Sequence, residues 1–320
     1  MNNKRDADHN LAHEQFLHMN KEFYCNYPQY YFLDKLDEVM LKLSAPERLV
    51  KAYSDCEVKI GMLSAELSDG DVNTDTIKRI ENNARIELHE MYIHCLECFI
   101  RLFLARATLA PCILLEMNKL TISKYHDALS KLSEGDFEWL NDKMDGLTTI
   151  QYALTSTTEH SDTITREVLE NWKSWIVYCA NELSDIKAYN AYKHGLTMRA
   201  YSGGLSFKGE EVNLEKQGDM ISYISKVEKT DRFVWVKKTE FLDMDILCMH
   251  TRLFGNLIKN MIGLGKWEFA DIADEDREYP SVEMTPTMLR QIKYQGDDMQ
   301  AMFQCITSFQ MELLYYSDPK

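Results

Sequence analysis

Between Ile77 and Leu102 the apolar residues Ile77, Ile80, Ala84, Leu88, Met91, Cys95, Phe99 and Leu102 recur at steps of three and four. That is one face of a 3.6-residue period, so the segment reads as a single amphipathic helix. Thr74 or Asp75 supplies an N-cap, and Pro111 marks the end. Roughly thirty residues at 1.5 Å rise give about 45 Å, longer than a typical domain helix. A second stripe, Ile164, Val168, Trp172, Trp175, Cys179, Leu183, Ile186 and Asn190, predicts another long helix ending at Lys193-His194-Gly195. With only 13 Gly and 6 Pro in 320 residues, long regular elements with few breaks are expected throughout.

Shorter helices fill in around these two. The opening segment 10–42 mixes helix formers with a Tyr-rich patch broken by Pro28. A helix starts at Pro46 and is expected to run to about Leu67, and others cover about Ser123–Leu132 and Leu242–Ile262. The period changes after Gly195. Met220–Val227 and Arg232–Thr239, rich in Ile, Tyr, Val and Trp, read as a β-hairpin, with Leu205–Val212 as a third strand and Gly203-Gly204 as a turn into the sheet. Residues 268–286 read as an acidic loop and 286–316 as one or two helices. The expected fold class is mainly α with a small antiparallel β-hairpin insertion. It divides into an N-terminal helical region (1–70), a helical core (71–200), the β insertion (201–241) and C-terminal helices (242–320) that complete or flank the core.

Composition excludes several classes of function. The chain carries 36 basic and 51 acidic residues, a net charge of −15, so it is no general coater of double-stranded DNA. Residues 271–320 hold ten acids against four bases. The richest apolar window, Cys98–Ala110, is interrupted by Arg101 and Arg106, which argues against a membrane span. The first residues lack an apolar stretch after their charges, and a soluble, cytoplasmic protein is expected. Eight scattered cysteines, most within apolar stretches, read as reduced thiols.

Metal and phosphate motifs fail on spacing. Cys95 and Cys98 form a lone CxxC, whereas a closed zinc site needs four ligands, and Cys95 belongs to the apolar stripe of its helix. Ser202-Gly203-Gly204 and Gly263-Leu264-Gly265-Lys266 lack the GxxxxGK[ST] spacing of a phosphate loop. No cofactor and no metal is expected. The one segment that invites chemistry is Ala188-Tyr189-Asn190-Ala191-Tyr192-Lys193-His194-Gly195. Asn190 and His194 are four apart on one helical face, with Lys187 a turn earlier. An amide, an imidazole and an ammonium in line suit phosphate binding and proton transfer near neutral pH. The same residues also suit a plain helix end, with Gly195 beyond the last turn and Lys193 and His194 at the negative pole of the dipole. Both readings stand at this point.

A long helix bearing Glu87, Glu90 and Glu97, followed by a long helix closing in Asn190-x-x-Lys193-His194-Gly195, resembles the HEPN domain (higher eukaryotes and prokaryotes nucleotide-binding) over about residues 75–200. The resemblance implies an up-and-down helical bundle, a homodimer, and RNA or a nucleotide as partner. Many members are metal-independent endoribonucleases, often of prokaryotic defence or toxin systems, in which a His assists attack of a 2′-hydroxyl on the adjacent phosphate. By that resemblance His194 is the acid/base and Asn190 the positioner of phosphate or motif. Lys187, Lys193 and Arg199 are substrate-binding cations, and Glu97 and Tyr189 stand behind them. Tyr189 departs from the family, which has Arg directly before the Asn, so Lys187 or Arg199 is the substitute cation. The alternative reading is a non-catalytic interaction protein built on the same bundle. Glu97 serves equally well as the i,i+4 partner of Arg101.

The sheet segment carries Tyr201, Phe207, Tyr223, Phe233 and Trp235 among lysines and arginines. Such residues stack bases beside phosphate contacts. Residues 201–240 nevertheless hold seven acids and seven bases, so these aromatics read as the half-buried side of ordinary strands.

Overall fold

In a computed structural model of the chain, the described residues are 11–54, 57–60, 63–66, 73–159, 164–184, 190, 191, 193, 196–208, 213–230, 232–270, 303, 304 and 306–313. The fold is mainly α with a small antiparallel sheet. The helices are α1 (His13–Asn26), α2 (Tyr31–Ser44), α3 (Pro46–Ser54), α4 (Thr74–Ala107), α5 (Ile113–Lys119), α6 (Ile122–Ser133), α7 (Gly146–Thr155), α8 (Arg166–Ser184) and α9 (Met244–Phe269). The strands are β1 (Glu57–Ile60), β2 (Leu63–Glu66), β3 (Met198–Lys208), β4 (Asn213–Glu228), β5 (Phe233–Leu242) and β6 (Ser308–Glu312). No helix among the described residues is long and apolar enough to cross a membrane.

The chain forms two compact units, each discontinuous in sequence, comprising Met1–Leu33, His94–Asp185 and Arg252–Gln291, and Asp34–Ile93, Ile186–Thr251 and Ile292–Lys320. The first unit is helical. Its core joins Phe99 and Phe103 of α4 to Trp175 of α8 and Phe254 of α9, with ring centres 5.0 Å apart for Phe99–Phe254 and 5.9 Å for Trp175–Phe254. Phe99 and Trp175 come from the apolar stripes of the sequence, and all four residues are fully buried. Asn20 of α1, also fully buried, donates to the Pro111 carbonyl and accepts from the Ile113 amide, tying the α4–α5 connection to α1. Asp145 caps α7 by accepting from the Leu147 and Thr148 amides. Those bonds and the one from the Thr148 hydroxyl hold its carboxyl below the usual aspartate range.

The second unit holds the sheet, in the order β3-β4-β5-β6 with every neighbour antiparallel, and the separate β1-β2 pair. One side of the sheet buries Met198, Ala200, Ile221 and Tyr223 against Ile86 of α4, with Ala191 and Leu242 at the edges of that cluster.

The opening segment, broken at Pro28 in the sequence, is two helices, α1 and α2, parted there. The sequence expectations depart from this fold at several other places. The helix from Pro46 stops at Ser54, and 57–66 form a strand pair in place of its second half, where Val58 and Ile60 favour extended backbone. Gly203-Gly204 is no turn: both lie within β3, which starts at Met198, and Gly203 pairs with Gly218. Near the C-terminus, Ser308–Glu312 is the fourth strand rather than helix. The expected loop at 268–286 begins later, because α9 runs on through Glu268 and Phe269; its remainder from 271 and most of 286–316 lie outside the described residues.

His250 of α9 is only 4% exposed, and burial holds its imidazole down at about 4 against the ordinary 6.5. Asp243 opposes that shift. A depressed histidine keeps its neutral form in the folded state, while the unfolded chain takes up the proton near 6.5. The linked stability is therefore whole above pH 6.5 and is lost as the pH falls toward 4. In urea unfolding at successive pH values, His250→Gln makes the stability curve between pH 6.5 and 4 shallower by up to one proton. Parallel curves for the two proteins would show that His250 does not carry this linkage.

Candidate functional site

Of the Asn190–Gly195 segment, Asn190, Ala191 and Lys193 are described; they belong to the second unit, and Ala191 packs against the cluster that joins Ile86 of α4 to Met198 of β3. Asn190, Ala191 and Lys193 are helical, and Asn190 and Lys193 are exposed. Lys187, Tyr189 and His194 lie outside the described residues. The Ala191 carbonyl accepts from both the amide and the hydroxyl of Thr197, at 3.0 Å each, which closes the end of the helical segment onto the start of β3. Leu196 turns the chain with φ of 54°, a left-handed conformation costly for a side chain with a Cβ and found where surroundings hold it in place. Arg199, three residues on, is exposed on β3.

Facing this segment from α4 is a buried pair. His89 Nδ1 and Glu90 Oε1 are 3.2 Å apart, and the residues are 8% and 5% exposed. Glu90 Oε2 has no hydrogen-bond partner among the described residues. Burial raises the Glu90 carboxyl above the usual range. The hydrogen bond and charge of His89 pull it back down, as does the charge of Lys193. A buried carboxylate that is partly unsatisfied costs free energy, and His89 first and the charge of Lys193 last offset part of that cost.

Glu87 and Glu90 sit one turn apart in α4 with different tasks: Glu87 accepts from Lys42 of α2 at 2.5 Å. Glu97, the acid singled out by its apolar neighbours, accepts from Arg101 Nε at 3.0 Å. The Arg101 guanidinium also donates to the Leu120 carbonyl and lies 4.2 Å from the centre of the Tyr125 ring. Glu90, read from the sequence only as one of the acids of the long helix, is the one whose contact with His89 the structure reveals; successive helical residues point about 100° apart, so spacing gave no sign of it.

Cys95 and Cys98 are free thiols. Burial, followed by the charge of Glu97, pushes Cys98 up to about 12, and burial raises Cys95 well above its ordinary value. Thiols held protonated are poor zinc ligands. Among the described residues, no three His, Cys, Asp or Glu side chains are grouped to hold a metal ion. The first unit contains a cavity of about 220 Å³ lined by Tyr24, Arg106, Tyr152 and Glu268. Three of the five Arg106 N–H donors there are committed to protein acceptors, one from each nitrogen. No family model matches the chain, and no curated protein or solved structure does so either.

Proposed function

We propose that this chain is a HEPN-like protein that acts on RNA through the Asn190–Gly195 segment, as a metal-independent endoribonuclease working as a homodimer. The observation that supports this reading is the buried Glu90 beside Lys193. A carboxylate on the neighbouring long helix supplies negative charge that favours the Lys193 ammonium, and Asn190 is exposed to solvent. In the proposed reaction His194 takes the proton of an RNA 2′-hydroxyl as that oxygen attacks the adjacent phosphorus. The bond from phosphorus to the 5′-oxygen breaks, and the departing oxygen takes a proton. Asn190 and a nearby cation, Lys187 or Arg199, hold the non-bridging oxygens as negative charge builds on them. Positioning and charge stabilisation of this kind carry most of the catalysis in phosphoryl transfer.

A second reading is favoured by Tyr189, which stands where the resembled family has arginine. Without the planar guanidinium fork the phosphorane loses its best-matched partner, and the chain binds without cleaving. One experiment separates the two. The 320-residue chain and its His194→Ala variant are incubated with a mixed structured RNA in EDTA. Cleavage by the wild type that survives EDTA and falls about a hundredfold or more in the variant establishes the nuclease. Silence from both folded proteins leaves the binding reading standing.

A further inference from the structure

The register sorts the four-stranded sheet into two chemically different sides. Side chains alternate along each strand, and residues directly paired across antiparallel strands project to the same side. Met198 with Tyr223, Ala200 with Ile221, and Val236 therefore share the buried side. The acids Asp219, Glu240 and Glu312 project there too, and each has a basic partner: Arg85 for Asp219, Lys238 for Glu240, and Lys229 with Arg232 for Glu312.

The opposite side carries Arg199, Lys216, Lys226 and Lys237 against a single carboxylate, Glu228, among the described residues. An even sum of seven acids and seven bases over 201–240 thus conceals a basic face on an acidic chain. That face is also aromatic. Trp235 pairs with Lys226, and Phe233 pairs with Glu228. The two rings are 57% and 59% exposed, at neighbouring same-side positions of β5 about 6.8 Å apart. Lys226 Nζ sits 4.3 Å from the centre of the Phe233 ring. Farther along, Lys216 Nζ lies 4.6 Å from the Phe241 ring. The glycine pair Gly203–Gly218 leaves room there, since a Cβ at Gly203 would meet the Met220 methyl at 2.8 Å and one at Gly218 the Phe241 ring at 3.3 Å.

We propose that this face binds single-stranded RNA, with bases stacked on Trp235 and Phe233 and phosphates met by Lys226, Lys237 and Arg199. Exposed rings interleaved with cations suit unpaired bases and their backbone, whereas the bases of a duplex are closed to such rings. Ile224 and Met311 are also exposed on this side; a protein partner is the poorer match because Lys226 and Lys237 stand among these apolar side chains and the centres of protein interfaces are depleted in lysine. The choice of RNA over DNA rests on the RNA reading of the Asn190–Gly195 segment; the stacking surface itself does not.

The test is fluorescence anisotropy of a labelled 12-residue oligo(U) RNA with the full chain at 50 and 200 mM salt, beside the matching DNA. The wild type is expected to bind the RNA more tightly than the DNA and to weaken steeply with salt. Trp235→Ala is expected to lose five- to a hundredfold in affinity, and Trp235→Phe to retain most of it. Lys226→Glu weakens binding and lowers the salt slope by about one, while Lys124→Glu in the exposed part of α6 changes neither. Equal binding by wild type and a folded Trp235→Ala overturns the proposal, as does absence of RNA binding, a preference for DNA, or a Trp235-dependent self-association without RNA binding. His194→Ala keeps the two readings apart. Oligonucleotide bound by the sheet with no cleavage by the wild type removes only the nuclease, and cleavage that persists undiminished in Trp235→Ala without measurable oligo(U) binding removes only the stacking surface.

Discussion

Replacing Arg106 with Met lowers the melting temperature by roughly 10 °C, a loss of about 3–5 kcal/mol. Arg106 is 3% exposed within the helical unit, and its guanidinium is a three-way tie. Nε donates to the Ala153 carbonyl at 2.7 Å, Nη1 to the Tyr24 hydroxyl at 2.9 Å, and Nη2 to the Ser156 hydroxyl at 2.5 Å. One side chain on α4 therefore joins α1 and both the body and the end of α7. The chain is shaped to permit this. Ser156 adopts a left-handed φ of 57°, and Leu109, just beyond the end of α4, has a φ of 54° and donates its amide to the Arg106 carbonyl. Methionine fills the space of the stem but leaves buried acceptors without donors, each costing about 1–3 kcal/mol. Arg106→Lys keeps the charge but a point ammonium cannot serve three acceptors spread around a planar fork, so it recovers only part of the loss. Tyr24→Phe removes one of the three bonds and costs about 1 kcal/mol. Thermal melts followed by circular dichroism compare the four proteins. A loss in Arg106→Met no larger than that in Tyr24→Phe would show that the tie carries little of the stability.

Arg106 also marks where the sequence was legible and where it stopped being so. The stripe from Ile77 to Leu102 identifies α4 because a 3.6-residue period needs no partner to be seen, and the stripe in Ile164–Leu183 likewise identifies α8. Arg106 itself reads only as an interruption in an apolar window. Its acceptors lie 47, 50 and 82 residues away in the chain, and spacing along one helix holds no trace of them. The sheet failed for a different reason. Gly203-Gly204 signals a turn when glycine is weighed alone, yet the pairing of Gly203 with Gly218 makes it a place where aromatic rings rest on bare backbone. β6 went unseen because five residues of mixed polarity become a strand only when Val236–Glu240 offers them an edge. Charge behaved in the same way: the sum over 201–240 was read correctly as neutral, and only the register reveals that strand alternation separates the signs. At the motif, spacing alone left Glu97 open between a tie to that segment and a pairing with Arg101, and the structure has it accepting from Arg101.

Gly265→Ala costs about 2–3 kcal/mol, although alanine is the better helix former by about 1 kcal/mol. Gly265 lies inside α9, and a Cβ there would overlap the ring of Tyr24. That ring is fully buried and has little freedom to retreat. It stacks on Phe269 at 5.6 Å between centres, nearly parallel, and its hydroxyl is held by Arg106. The glycine in the Gly263-Leu264-Gly265-Lys266 run is thus explained by a close approach of α1 to α9, where a phosphate loop had been considered and rejected on spacing. Gly263 is the internal control, because a Cβ there meets nothing within 4 Å. Gly263→Ala is expected to stabilise by about 0.5–1 kcal/mol, the ordinary helix preference. The decisive comparison is a double-mutant cycle with Tyr24→Leu. Removing the ring is destabilising on its own, through the lost stack and hydroxyl bond. In that background the overlap is relieved, so Gly265→Ala changes sign and becomes neutral or mildly stabilising, a coupling of about 2–3 kcal/mol for residues in direct contact. If Gly265→Ala were equally costly with and without Tyr24, the penalty would come from the helix itself, and the account of the α1–α9 contact would have to be abandoned.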